Sequence, residues 1–197
     1  MSKVVVVNHV TLDGVMQSPS GLDEDARNGF RHGGWAVPYG DEVLGRFMGE
    51  RMASGGDGAM LFGRVTYEKM AGFWPKQTDG NPFTEVLNAR QKYVASRTLT
   101  EPLEWVNSTV LEGDAADAVA ALKEQPGGNL VILGSGDLIE SLMPAGMIDE
   151  WVLTIHPLAL GSGRRLFPDG IAPATLELTG ATPTTTGVII ATYETRR

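Results

Sequence analysis

Leu130-Val131-Ile132-Leu133-Gly134-Ser135-Gly136-Asp137-Leu138-Ile139-Glu140-Ser141-Leu142 changes character at its centre. The first four residues form a short continuous apolar run, the pattern of a strand buried on both faces. Gly134-Ser135-Gly136 ends that run, and Leu138 to Met143 then reads as a short helix stopped by Pro144. The same succession occurs earlier: Ala59–Phe62 is a short apolar strand, Gly63-Arg64-Val65-Thr66 follows, and Val65 to Ala71 reads as a helix. A third strand, Lys92–Ser96, runs into Ser96-Arg97-Thr98.

Working outward, Val4 to Val10 is a β-branched, nearly continuous first strand. Glu42 to Met52 places Val43, Leu44, Phe47 and Met48 on one helical stripe. Asp114 is a good N-cap for a helix ending near Glu124. Strands are expected at Glu150–His156, Leu176–Thr182 and Val188–Glu194, the last two joined through Pro183 to Gly187 as an antiparallel hairpin. Strand–helix alternation implies a parallel sheet. The expected fold class is therefore α/β: one domain over residues 1–197, with a mixed, mostly parallel sheet, helices on both faces and a C-terminal antiparallel hairpin. Gly14 to Gly40, rich in Gly, Pro, Asp and Arg, reads as a long lid or binding loop that orders in part on ligand binding.

Composition narrows the functional classes. The 197 residues are 42% hydrophobic and 20% charged, ordinary values for a globular domain of one core. With 16 Lys and Arg against 24 Asp and Glu the formal charge is −8, which argues against nonspecific nucleic-acid binding and against docking on anionic lipid. The absence of cysteine removes disulfides, thiolate zinc sites and cysteine nucleophiles, and no metal site is expected. No apolar run approaches the roughly 20 residues of a membrane helix, so a cytoplasmic protein is the expectation.

In an open parallel sheet, ligands sit beyond the carboxyl ends of the strands. Three strand ends here carry glycine, hydroxyl or guanidinium groups: Gly63-Arg64-Val65-Thr66, Ser96-Arg97 and Gly134-Ser135-Gly136. Such groups suit phosphate, because unpaired N–H groups and the helix dipole favour an anion at a helix start, glycine permits close approach, and arginine adds charge-assisted bonds. Each signal is weak alone; their joint placement carries the argument. The full dinucleotide fingerprint is absent, since Leu138 and Ile139 stand where its third glycine would fall. Asp13 is a candidate for orienting substrate or relaying a proton, with a turn-capping residue before Gly14 as the alternative. Trp74 is a candidate wall for a planar ring or a packed loop aromatic, and His156, before Pro157, reads as structural.

These segments resemble the dihydrofolate reductase superfamily, and within it the branch that contains the reductase domain of bacterial riboflavin biosynthesis. Thr11-Leu12-Asp13-Gly14 is similar to that branch's Ser-Leu-Asp-Gly at the end of its first strand. Gly63-Arg64-Val65-Thr66-Tyr67-Glu68 resembles the superfamily's Gly-Arg-x-Thr-aromatic-Glu element, and Gly134-Ser135-Gly136 its later glycine turn. Pro157 with Leu160-Gly161-Ser162-Gly163 and Leu166-Phe167 resembles the stretch after the penultimate long strand.

The resemblance implies NADPH as hydride donor, a small-molecule substrate and a homodimer. It places Gly63, Arg64, Val65 and Thr66 at the cofactor's phosphates, Ser96 and Arg97 at the adenosine phosphate, and Gly134, Ser135, Gly136 and Leu138 along the pyrophosphate turn. It places Asn8, His9 and Val15 near the nicotinamide. The expected activity is reduction of a pteridine or aminopyrimidine-ribose substrate, as in a 5-amino-6-(5-phosphoribosylamino)uracil reductase; the alternative is a non-catalytic nucleotide- or pterin-binding module of the same fold.

Overall fold

A computed structural model describes residues 1–54, 58–78 and 80–196. Eight strands join one sheet in the order β4-β3-β2-β5-β1-β6-β8-β7. They are β1 (Val4–Thr11), β2 (Ala59–Gly63), β3 (Lys92–Ala95), β4 (Ser108–Leu111), β5 (Leu130–Leu133), β6 (Glu150–His156), β7 (Leu176–Pro183) and β8 (Ile189–Thr195). Among the described residues five α-helices intervene: α1 (Glu42–Ser54), α2 (Arg64–Phe73), α3 (Pro82–Ala89), α4 (Ala115–Glu124) and α5 (Gly136–Leu142). The sheet is mixed: β2 pairs parallel with β3 and with β5, β3 pairs parallel with β4, and β6-β8-β7 is antiparallel. The mixed sheet and its C-terminal hairpin agree with the sequence. β4 and α3 were not expected: β4 is short and carries no fully buried residue, so it shows no apolar run. Among the described residues no helix is long and apolar enough to cross a membrane.

The chain divides into two compact units, residues 1–5 with 48–149 and residues 6–47 with 150–197. In the first, Met52, Met60, Phe62, Tyr67, Ala71, Leu87, Val94 and Trp105 form the core. Phe62 and Trp105 stack with ring centroids 6.1 Å apart. Both N–H groups of Trp105 are paired inside this core: the backbone N–H donates to Tyr67 Oη at 3.1 Å, and the indole N–H donates to Asn88 Oδ1 at 2.8 Å. Lys92 is fully buried, yet its Nζ donates to the carbonyls of Asn88, Arg90 and Val106 and lies 4.5 Å from the Trp105 ring centroid. Two of those carbonyls end α3, so the ammonium closes the helix while burial pushes its pKa down to about 8. Asn81 and Asp114 cap α3 and α4, the latter as expected.

In the second unit β6 pairs with β8 from Glu150↔Glu194 to Ile155↔Ile189, and β7 continues the sheet with an irregularity between Leu178 and Gly180. The long loop expected at 14–40 is built around Gln17 and Ser18. The Gln17 amide donates to the carbonyls of Asp25 and Arg27, and its Oε1 accepts from the Arg164 N–H at 2.9 Å. The buried Trp35 donates its indole N–H to the Gln17 carbonyl at 2.7 Å. Composition alone suggested a segment that orders on binding; side-chain-to-backbone bonds give it a defined path.

Gly163 marks a tight approach between side chains in this unit. Its φ is +114°, and a Cβ there would stand 2.6 Å from Phe30 Cε2 and 2.8 Å from Val15 Cγ1. Gly163→Ala should therefore destabilise the protein by about 1–3 kcal/mol through overpacking, beyond its backbone strain. Gly161→Ala meets open space at φ +73°, so it should cost only about 1–2 kcal/mol. Urea denaturation of both variants checks this; equal losses would show that backbone strain alone decides.

Candidate functional site

In the first unit, parallel register brings the expected strand ends side by side. Leu61 pairs with Ile132, so Gly63, two residues on, falls opposite Gly134; Gly63 also pairs with Ala95, which precedes Ser96. Ser135 ties two of these ends together. Its Oγ accepts from the Gly63 N–H at 3.1 Å, and its own N–H donates to Thr66 Oγ1 at 3.1 Å. Gly134 and Ser135 both adopt the left-handed conformation, at φ +61° and +53°. A Cβ on Gly134 would also lie 3.7 Å from Thr66 Cγ2. The buried Leu138 closes the back of the turn, its Cβ 3.8 Å from where a Cβ on Gly63 would stand.

The helices that open here differ from α3 and α4. Neither Gly63 at the start of α2 nor Ser135 at the start of α5 makes a side-chain cap bond. The first-turn N–H groups of α2, including those of Val65 and Thr66, have no side-chain cap, which is the condition for anion binding at a helix start. α5 already carries Asp137 in its first turn, so α2 is the more anion-receptive of the two.

The remaining residues of this unit stand differently. Arg64 is exposed and pairs with Glu68 one turn on at 3.0 Å. Arg97 is exposed on the turn after β3. Ser96 Oγ accepts from the N–H groups of Thr98 and Leu99, so the hydroxyl shapes its own turn and keeps only its proton for a ligand. Trp74 packs against Phe83 and Phe73 with centroids 5.2 Å apart and donates its indole N–H to Met70 Sδ. These contacts are those of a packed loop aromatic that keeps part of its surface exposed.

In the second unit the expected residues gather around β1. Asn8 is buried and donates from Nδ2 to Met16 Sδ at 3.5 Å. Val15 is fully buried, and its N–H donates to Thr11 Oγ1 at 2.9 Å. Asp13 accepts from the Thr11 hydroxyl and from the N–H groups of Leu160 and Gly161, the latter at 2.7 Å. The Thr11 hydroxyl above all, then the backbone donors, hold its carboxyl down to about 2. Asp13 is thus ionised at neutral pH and holds the 160–161 turn in place; it has no proton to deliver. Asp41 is similar: the Leu44 N–H and Thr185 lower its pKa to about 2 while it starts α1.

His9 and His156 form a pair the sequence did not reveal. His9 Nδ1 lies 3.0 Å from His156 Nε2 and 2.8 Å from Thr154 Oγ1. Trp35 and Tyr39 meet the His156 ring at near-right angles, with centroids 5.2 and 5.5 Å away. Burial lowers both imidazoles to about 4, and for His9 the neighbouring His156 adds to the effect. Both histidines stand in strand sequences, but which strands lie together is not written in the local pattern.

The family model of the RibD C-terminal domain matches residues 2–190. The protein YyaP of Bacillus subtilis strain 168 is 26% identical over 197 residues, covering 97% of this chain and 94% of its own. A Shewanella sp. PV-4 protein provisionally assigned to riboflavin biosynthesis has a similar structure, with a TM-score of 0.67, 23% identity and 99% of each chain covered. The dihydrofolate reductase of Enterococcus faecalis, solved with NADP(H), has a TM-score of 0.62 at 16% identity, over 99% of this chain and 97% of its own. At these identities the structural likeness is one of fold: the fold is that of dihydrofolate reductase.

The histidine pair sets an acid limit on stability. The folded protein binds their protons less readily than the unfolded chain, so their contribution is complete above pH 6.5 and is lost as pH falls toward about 4. A depression of that size corresponds to about 3 kcal/mol per histidine at most. The ionised Asp13 weakens only lower, between its ordinary 3.8 and about 2. Denaturant titrations at pH 7, 5.5 and 4.5 should show a steady fall in stability; a flat profile would mean that both rings titrate normally in the folded state.

Proposed function

This chain belongs to the RibD C-terminal domain family, and from that premise we propose that it is an NADPH-dependent reductase of a small heterocyclic substrate of the pteridine or aminopyrimidine-ribose type. One observation supports the cofactor most directly: three adjacent strand ends in one unit, two of them joined through Ser135, beside an α2 start without a side-chain cap. The donor set fits the phosphates of a dinucleotide. Gly63, Arg64, Val65 and Thr66 would hold phosphate at α2, and Gly134, Ser135, Gly136 and Leu138 would form the pyrophosphate turn. Ser96 and Arg97 would meet the phosphate on the adenosine ribose. NADPH, when bound, supplies the hydride. The chain's own part is to bind, orient and exclude water, with Asn8 and Val15 at the nicotinamide and His9 close by it, toward the substrate side.

A second reading is a nucleotide- or pterin-binding module without turnover. It is favoured by Asp13, whose carboxyl is ionised and committed to the 160–161 turn, and so cannot donate the proton that completes a reduction. Incubation with NADPH and either 5-amino-6-(5-phosphoribosylamino)uracil or dihydrofolate separates the readings. Oxidation of NADPH with one of them supports the reductase; tight binding without oxidation supports the module; no binding of NADPH defeats both.

Cofactor choice gives the sharper prediction. NADPH differs from NADH by one phosphate on the adenosine ribose, and Arg97 is the exposed cation beside Ser96. A charged hydrogen bond is worth about 1.5–3 kcal/mol, so Arg97→Ala should weaken NADPH about tenfold to a hundredfold and leave NADH nearly unchanged. Arg64→Ala should do less, because its guanidinium is shared with Glu68. Fluorescence titration of both cofactors decides; equal losses for NADPH and NADH would remove Arg97 from the phosphate site.

A further inference from the structure

His9 has one ring nitrogen that the protein fully occupies. Nδ1 touches both Thr154 Oγ1, at 2.8 Å, and His156 Nε2, at 3.0 Å. The Thr154 hydroxyl also lies 3.3 Å from the Asn8 carbonyl, to which it can only donate. One proton assignment satisfies all three contacts. Thr154 gives its proton to Asn8, and a proton on His9 Nδ1 is shared between Thr154 Oγ1 and a bare His156 Nε2 in a three-centre bond. With a bare His9 Nδ1, two donors would converge on one lone pair, and the Thr154–Asn8 contact would face oxygen to oxygen.

The same assignment fixes the proton of His156. If its Nε2 is bare, its Nδ1 carries the proton. That Nδ1 is buried without a hydrogen-bond partner, in a ring flanked by Trp35 and Tyr39. Trp35 has committed its own N–H to the Gln17 carbonyl. His9 Nε2 is then left with a lone pair and no proton, on a residue that keeps a minor part of its surface exposed.

We propose that His9 Nε2 is a hydrogen-bond acceptor for an amino or ring N–H group of the substrate heterocycle, with Thr154 and His156 as the positioning residues that set its tautomer. The assignment rests on the reductase reading given above and names a determinant of its substrate class: aminopyrimidine and pterin rings present N–H donors, and a ring offering only acceptors would meet the lone pair unfavourably. Pairing at this nitrogen also works best with an uncharged imidazole, since a protonated ring would offer an N–H instead.

The chain has 3 histidines, so nitrogen-15 spectra of histidine-labelled protein resolve each ring directly. At pH 7 without ligand, His9 and His156 should both carry their proton on Nδ1; His9 protonated on Nε2, or on both nitrogens, overturns the proposal. This measurement needs no variant. Addition of NADP+ and then 5-amino-6-(5-phosphoribosylamino)uracil should move the His9 Nε2 resonance as its lone pair is engaged. If the uracil compound binds and that resonance stays put, the proposal fails while the reductase reading stands. If the compound does not bind to the NADP+ complex, the substrate class falls and this role for His9 falls with it. His9→Phe should weaken the uracil compound about tenfold, and His9→Gln, which keeps an acceptor oxygen, should recover part of the loss; indistinguishable Phe and Gln variants would reduce His9 to packing.

Discussion

Parallel pairing of β2 with β5 is the constraint from which the strand-end cluster of the first unit follows. The register that sets Leu61 beside Ile132 brings Gly63 and Gly134, 71 positions apart in sequence, to the same end of adjacent strands. Only then can Ser135 bond Gly63 and Thr66 together. The left-handed pair Gly134-Ser135 carries a conformational cost, and for Ser135, which has a Cβ, that cost is of the order of 1–2 kcal/mol. The two hydrogen bonds at Ser135 offset it and over-determine the turn.

The second unit solves a different problem, the burial of polar groups beside an apolar strand. The Asn8 side-chain amide donates to a methionine sulfur, and the two histidines meet each other. An imidazole can be enclosed at modest cost when it is neutral, and here burial ensures that it is. Asp13 and Asp41 behave in the opposite way. Each stays at the surface, gathers backbone and hydroxyl donors, and is held ionised while it pins a turn or a helix start. Carboxylates therefore supply architecture in this unit, and the buried imidazoles stay uncharged.

Much of this was legible in local sequence. Short apolar runs ended by glycine gave β2 and β5, alternation gave the parallel sheet, and Asp114 marked the start of α4. β4 escaped because an edge strand with little burial needs no apolar residues, and α3 because Asn81-Pro82, which opens it, also reads as a turn. For the candidate site, the strand-end glycines and hydroxyls were visible from their position after strands. The ion pair of Arg64 with Glu68 was present in the i, i+4 spacing, and the packing of Trp74 was left open between two readings.

Sequence alone determined what depends on neighbours along the chain: where strands stop, which helices begin at glycine, how few cations could meet an anion, and the motifs that mark the family. Tertiary structure decided what depends on neighbours across it. Asp13 could have been a proton relay or a turn residue until Leu160 and Gly161 were seen to approach it. His9 and His156 are separated by 147 positions, and no local periodicity links them. Their tautomers, their neutrality and the nitrogen left available arise only when Thr154, Trp35 and Tyr39 close around them. Hydrogen-bond saturation and desolvation are properties of an enclosed volume, and an enclosed volume exists only once the chain has folded.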